Sequence, residues 1–318
     1  MANIKQHLPI DKELVIVFLL VIITGMLYFL VSNQRAFLNF FYLPVLMGAY
    51  LYGKQHGTYS ALLSVVMIFT LAYFIPETFL SSGTSTATSK WADIATWGGF
   101  LIITGYAMGV LYEKKESHAR ELATTYHGII TMLSLVIDSV DRYTQSHSYR
   151  VSKYAAKIAE AAGLDESDIE DVRIAALLHD LGKIGVSADI LNKIGTLSDR
   201  EMREMSSHTS KAAGILEPVG GKVLKILPLI LGHHERYDGK GYHALVGESI
   251  PIGAKIIAVA DVYDALTTDR PYRKALSPLE GKEEILKGSG THFDPEIVGH
   301  FEQVFSRLEV DEPMLSVS

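Results

Sequence analysis

The sequence predicts an all-α protein in two parts: four membrane-crossing helices, then an all-helical domain built around polar residues. Three observations predict it. Four uncharged apolar runs crowd the first 112 residues. The remainder carries helical periodicity and no convincing run of alternating strand residues. Five of the twelve histidines recur, with two aspartates, on the apolar faces of those predicted helices.

The apolar runs span about 14–31, 36–52, 57–75 and 94–112, and none contains Asp, Glu, Lys or Arg. Each is roughly long enough to cross a hydrocarbon core as a helix. The first is too long for a signal peptide and lacks a small-residue cleavage site. With four spans, Lys5, Lys12, Lys54, Lys114, Lys115 and Arg120 share one side, against Arg35 and Lys90 on the other. The positive-inside rule then puts both termini in the cytoplasm, which predicts a multi-pass membrane protein. Spans without internal charge argue against a transport pathway and for a sensor or anchor. The Ser/Thr-rich stretch in 76–93 reads as a solvated outside loop.

Residues 1–112 carry five basic and four acidic side chains, so of the total charge of −7, residues 113–318 carry −8. An acidic soluble part argues against nucleic acid as partner. An anionic substrate would need local cations.

The connector 113–127 is strongly polar. Leu122, Tyr126, Ile129, Leu133, Val136 and Val140 follow one another at spacings of 4, 3, 4, 3 and 4. That is an a/d seam, and it suggests a two-stranded coil between the protomers of a homodimer. One amphipathic helix packing on its own domain explains 129–140 at least as well. The following domain is expected over 128–308, with a tail over 309–318. Ser198-x-x-Glu201 is a capping box, Asp165 is an expected N-cap, and Gly182 and Gly214 mark positions where helices would stop or bend.

The polar series runs His147, His179-Asp180, His208, His233-His234, Asp261. Each member whose flanks can be read lies on an apolar face: His147 with Val151, Ala155 and Ile158; His179 after Val172 and Ala176; His208 after Met205; Asp261 after Ile257 and Ala258. A single such histidine is usually a hydrogen-bonded core residue. A buried aspartate is costlier, and several such positions on successive helices call for one explanation. Imidazole and carboxylate together suit borderline divalent metals, and helices in a bundle can aim them at one point. The chain has no cysteine, so thiolate sites and disulfides are excluded.

These residues also carry a resemblance. HDLGKIG (179–185) resembles the signature of the HD phosphohydrolase superfamily. HHERYDGKGY (233–242), ADVYDALTTDRPYR (260–273), HFDPEIV (292–298) and SHSYRVS (146–152) narrow it to the HD-GYP family, over about residues 127–308. The resemblance implies an HD-type, metal-dependent phosphohydrolase fold and a cyclic di-GMP phosphodiesterase forming pGpG and then GMP. It also implies metal ligands at His147, His179, Asp180, His208, His233, His234 and Asp261, with Asp180 bridging. Lys183, one turn after His179, is placed to meet a phosphate oxygen or the attacking hydroxide. Two divalent ions about 3.5–4 Å apart offset a phosphodiester's charge and acidify water. Fe or Mn is favoured, with Ni, Mg or Zn as alternatives. Because ligand histidines must be neutral, activity should fall in acid.

Arg270 and Arg273, with Lys274, form a basic cluster suited to phosphate. Tyr237, Asp238, Gly239, Gly241 and Tyr242 form a Gly-rich loop whose tyrosines could stack on guanine or simply pack. Two positions depart from the resembled pattern. His243 stands where the family has proline, which puts the loop's conformation in question. Tyr143 stands where three-metal members carry glutamate, so two metals are expected, unless Asp138 or Asp141 substitutes. Alternative readings are another cyclic dinucleotide or nucleotide as substrate, and a non-catalytic receptor.

Overall fold

In the computed structural model the structure describes residues 12–29, 37–75, 87–140, 146–193, 195–269 and 273–308. The chain divides into two compact units, Met1–Thr124 and Thr125–Ser318. Both are helical, and no named strand occurs among the described residues.

In the first unit, α1 spans Lys12–Phe29, α2 Tyr42–Tyr52 after a 3-10 turn at Leu38–Phe41, and α3 Lys54–Phe74. The helix α4 spans Ala87–Val140. Two helical segments, Lys54–Phe74 and Lys90–Ser139, are long and apolar enough to cross a membrane. The other two predicted spans are shorter apolar helices over Leu14–Phe29 and Leu38–Tyr52. Gly53, at φ 86°, ends the second and separates it from the third. The helices touch through small residues. A Cβ on Gly57 would lie 2.6 Å from the Ala49 Cβ and 2.9 Å from the Gly105 carbonyl oxygen, the close approach typical of helix pairs in lipid. Leu20, Leu27, Phe41, Ile68 and Leu101 are fully buried, while Phe18, Leu43, Tyr59, Val66, Phe69, Phe100 and Ile103 lie exposed.

The second unit contains α5 (His147–Ala161), α6 (Glu166–Leu178), a 3-10 turn at Leu181–Gly185, α7 (Ala188–Leu191), α8 (Asp199–Ser206), α9 (His208–Leu216), α10 (Val223–Gly232), α11 (Ile252–Thr267), α12 (Pro278–Lys287) and α13 (Pro295–Leu308). Local chemistry sets the starts. Asp165 accepts from the Asp168 amide to open α6. The Ser198/Glu201 capping box opens α8, and Ser277/Glu280, not anticipated above, opens α12. Gly214 does not interrupt α9, which continues to Leu216.

Val151, Ala155 and Ile158 of α5, Val172, Ala175 and Leu178 of α6, Ile226 and Ile230 of α10, and Ile256, Ile257 and Tyr263 of α11 form one core with Phe301 of α13. Ile130 and Ile137 of α4 are buried in it, and Tyr126 and Leu133 pack against it. Leu122, Ile129, Met132, Leu135 and Val136 remain exposed. The expected a/d seam is therefore split. Tyr126 and Leu133 serve their own domain, because their helix face carries Ile130 and Ile137 into the core.

Gly182 decides how the 3-10 turn meets α9. A Cβ there would collide with the His208 carbonyl oxygen. Only glycine lets the segment after His179-Asp180 lie directly against the start of α9.

Candidate metal centre

Helix ends deliver the site. His179 and Asp180 follow the last turn of α6, His208 opens α9, His233 and His234 follow α10, His147 opens α5, and Asp261 lies within α11. His147, His179, Asp180, His208 and His233 are buried. Two groups of donor atoms converge, each with its atoms within 4.8 Å of one another. One is His147, His179 and Asp180. The other is Asp180, His208, His233 and His234. Asp180 belongs to both.

The orientation of the rings has a local cause. His179 Nδ1 lies 2.7 Å from the Ala176 carbonyl, His208 Nδ1 2.8 Å from that of Met205, and His233 Nδ1 2.6 Å from that of Ile230. A carbonyl only accepts, so each Nδ1 carries a proton and each ring turns its Nε2 inward. His147 does the same against a carboxylate, with Nδ1 2.7 Å from Asp264 Oδ2. Its Nε2 faces Asp261 Oδ1 at 3.3 Å. Around Asp180, His179 Nε2 lies 3.2 Å from Oδ2 and His208 Nε2 3.6 Å from Oδ1.

The donor set fits divalent cations. His208 Nε2 and His233 Nε2 approach to 3.5 Å. With both Nδ1 protons already committed, two lone pairs face one another in a buried space. Burial, with like-charged neighbours, holds the His233 imidazole well below its usual pKa, and His234 at about 4. His208 is lowered too, chiefly by burial. All three are thus poised as neutral donors at physiological pH. Burial pushes the Asp180 carboxyl up. The charges of His179 and Lys183 outweigh it and hold the group well below the carboxylate range. Burial alone would lower the His147 imidazolium, yet the hydrogen bonds and charges of Asp261 and Asp264 raise it to about 10.

Lys183 Nζ, in the 3-10 turn that Asp180 precedes, lies 2.7 Å from Asp180 Oδ2. Tyr242 is 40% exposed. Its ring lies 4.8 Å from that of His234 and 6.3 Å from that of His208, as one wall of the site. Gly241 cannot carry a side chain, since a Cβ would reach 2.5 Å from the Glu235 Cα. Tyr237 is packed instead, with the Lys255 ammonium 5.9 Å from its ring centroid. Asp238 pairs with Arg236 at 2.8 Å, which holds its carboxyl at about 2.

Two members of the basic cluster have partners within the protein. Arg273 Nη2 donates to the carbonyls of Ala265 (2.7 Å) and Leu266 (3.3 Å), so it caps the end of α11. Lys274 pairs with Asp269 at 3.1 Å on the surface. Arg270 and Tyr143 lie outside the described residues, as does Asp141. Asp138 accepts from Ser148 Oγ at 2.7 Å.

Sequence reasoning missed three groups. Asp264 orients His147 and is itself held by the Arg150 guanidinium. It sits three residues after Asp261, on the same face of α11, and that spacing was available as a signal. Glu235, buried directly after His234, accepts the amides of His243 (2.6 Å) and Leu245 (2.8 Å). The buried Lys255 and Asp294 pair at 2.7 Å and tie α11 to the start of α13.

A family profile described as "HD domain" matches residues 130–297. The "Cyclic di-GMP phosphodiesterase response regulator RpfG" of Xanthomonas campestris pv. campestris is 39% identical over 171 residues, covering 53% of this chain and 45% of that protein. A "Cyclic di-GMP phosphodiesterase" of Vibrio cholerae is 36% identical over 223 residues, 65% of this chain and 44% of that one. The "3'3'-cGAMP-specific phosphodiesterase 2" of the same species is 32% identical over 195 residues, 61% and 37%. The chain thus spans less than half the length of these relatives. With the HD pair, the neighbouring histidines and the matched profile all falling in the second unit, this chain belongs to the HD domain family.

Proposed function

We propose that the chain is a metal-dependent phosphodiesterase that hydrolyses cyclic di-GMP to pGpG and on to GMP. The observation that carries this reading is the inward convergence of histidine ring nitrogens on Asp180, a carboxylate common to both donor groups. Two of the relatives above are named cyclic di-GMP phosphodiesterases. His147, His179 and Asp180, with Asp261, would hold one ion, and Asp180, His208, His233 and His234 the other, with Fe or Mn favoured. When bound, two divalent ions supply Lewis acidity toward a phosphodiester and toward water.

The chain's own residues do the rest. The histidines hold their Nδ1 protons against fixed acceptors, so their geometry is set before substrate arrives. Lys183 holds a positive charge beside Asp180, in reach of a phosphate oxygen. Tyr242 offers a half-open aromatic face to a base. Arg270 and Arg273 are the proposed phosphate contacts, Arg273 from its position on the α11 carbonyls.

The four apolar runs, the exposed apolar exterior of the first unit and the positive-inside bias support a multi-pass bacterial inner-membrane protein with a cytoplasmic catalytic domain. In this reading 1–112 anchor or sense, 113–127 link, and 128–308 catalyse. The exposed Ile129, Met132 and Val136 would face a second copy in a homodimer.

A second reading is a preference for a mixed cyclic dinucleotide, favoured by the relative named as 3'3'-cGAMP-specific. The test is the purified full chain, loaded with Mn or Fe and given each dinucleotide in turn, with products separated by chromatography. Turnover of cyclic di-GMP, lost in His179→Ala and Asp180→Ala, supports the proposal. Faster turnover of the mixed dinucleotide favours the second reading. Tight metal-dependent binding without turnover would identify a receptor.

A further inference from the structure

The loop after the histidine pair is suspended from residues that adjoin the metal-candidate histidines in sequence. Its stem closes where the Gly247 amide donates to the Tyr237 carbonyl at 3.1 Å. Its tip is anchored at two points. The His243 and Leu245 amides both donate to the buried Glu235 carboxylate, at 2.6 and 2.8 Å. The His243 ring Nε2 pairs with Thr209 Oγ1 at 3.1 Å. Glu235 directly follows His234, and Thr209 directly follows His208. Between the two anchored amides Ala244 takes φ 56°, a left-handed conformation rare outside glycine. Amides two residues apart turn toward one carboxylate here through the sharp bend at the residue between them.

We infer that His243 is a positioning residue that fixes Tyr242 as a wall of the site, through one backbone and one side-chain hydrogen bond. Neither bond is available to proline, which has no N–H and no ring nitrogen able to hydrogen-bond. His243 is therefore not a neutral replacement of the family's third signature residue. This chain holds its loop by hydrogen bonds to Glu235 and Thr209, and Tyr242, one residue earlier, is held against His234 and His208 as a result. The inference rests on the functional reading only in naming the substrate whose site Tyr242 walls.

The test uses the full chain with Mn(II), comparing wild type with His243→Pro, His243→Ala, Thr209→Val and the double variant His243→Ala/Thr209→Val. Amide hydrogen exchange is followed at residues 239–247, with metal content and steady-state kinetics on cyclic di-GMP. In His243→Pro the Leu245 amide should exchange at least about tenfold faster, as expected for loss of a bond to a buried charge. KM should rise by a similar factor while kcat changes less and metal content holds. His243→Ala keeps its N–H and should show a smaller effect. Thr209→Val should match it, and the double variant should add nothing further.

Wild-type exchange and KM in His243→Pro would overturn the inference, as would additive effects of His243→Ala and Thr209→Val. If His243→Pro fails to fold, the alanine–valine cycle decides alone. If wild type turns over no cyclic dinucleotide, the functional reading fails, and exchange in the same variants still decides the role of His243.

Discussion

His147 Nδ1 lies 2.7 Å from Asp264 Oδ2, across 117 positions of sequence. Asp264 is also paired with Arg150, whose Nη2 donates to the same oxygen at 2.9 Å. One carboxylate thus sets the tautomer of a candidate ligand and satisfies a half-buried guanidinium, which bonds Thr268 as well.

Asp264→Asn should weaken metal binding about 10–100-fold, the usual cost of losing an outer partner of a ligand histidine. Asp264→Ala should in addition cost about 3–5 kcal/mol of stability, since a buried pair is broken with one charge left behind. Metal titration and thermal unfolding of the two variants separate these effects. Unchanged metal affinity in Asp264→Asn would remove Asp264 from the site.

Metal binding should release protons near neutral pH. In the metal-free protein His147 is raised to about 10 by Asp261 and Asp264, against the opposing effect of burial. Its pairing contributes stability that is fully present below its unfolded pKa of about 6.5 and is lost as pH rises through about 10. His234 has the opposite sign. Lowered to about 4 by burial, it contributes stability present above about 6.5 and lost as pH falls through about 4. Calorimetric titration of Mn(II) at pH 7 in buffers of differing ionisation enthalpy should show proton release that shrinks in His147→Ala. Equal release in both proteins would contradict a protonated His147.

Lys183→Ala should lower kcat by about 10²-fold or more, in the range for loss of one preorganised charge-stabilising group. Metal content should be nearly retained, because Lys183 pairs with Asp180 without being one of the convergent donors. Kinetics with parallel metal analysis checks this. A metal-free Lys183→Ala would make the lysine a structural counter-ion only.

Gly182→Ala should destabilise by about 1–3 kcal/mol, the usual cost of overpacking. The added Cβ has nowhere to go but into the His208 carbonyl. The relief available is to part the 3-10 turn from α9, which separates Asp180 from His208. Metal affinity should fall in the same variant, and equilibrium denaturation with metal titration would detect both. A stable, metal-competent Gly182→Ala would show that the approach is not needed.

Much of the site was legible because its causes are local. The histidines lie on apolar helix faces, and three of them are oriented by carbonyls three residues back, within reach of the chain's own turn. Capping at Ser198 and Asp165 was legible for the same reason. Arg273 was not. Its type suits phosphate, yet the end of α11 supplies two carbonyls within its reach, and a helix end needs acceptors satisfied. The coiled seam was also ambiguous. A heptad pattern does not say which apolar face meets a partner, and here Tyr126 and Leu133 pack on their own core.

The sequence by itself determined the types and order of the candidate ligands, the helical class, the apolar runs and the departure at His243. These follow from side-chain chemistry and from periodicities of a few residues. Only the tertiary structure decided that Asp180 is common to two donor groups, that Asp264 aims His147, and that Glu235 and Thr209 suspend the loop bearing Tyr242. Those relationships join distant segments. Helix packing sets them, through steric contacts such as Gly182 on His208 that no local pattern encodes.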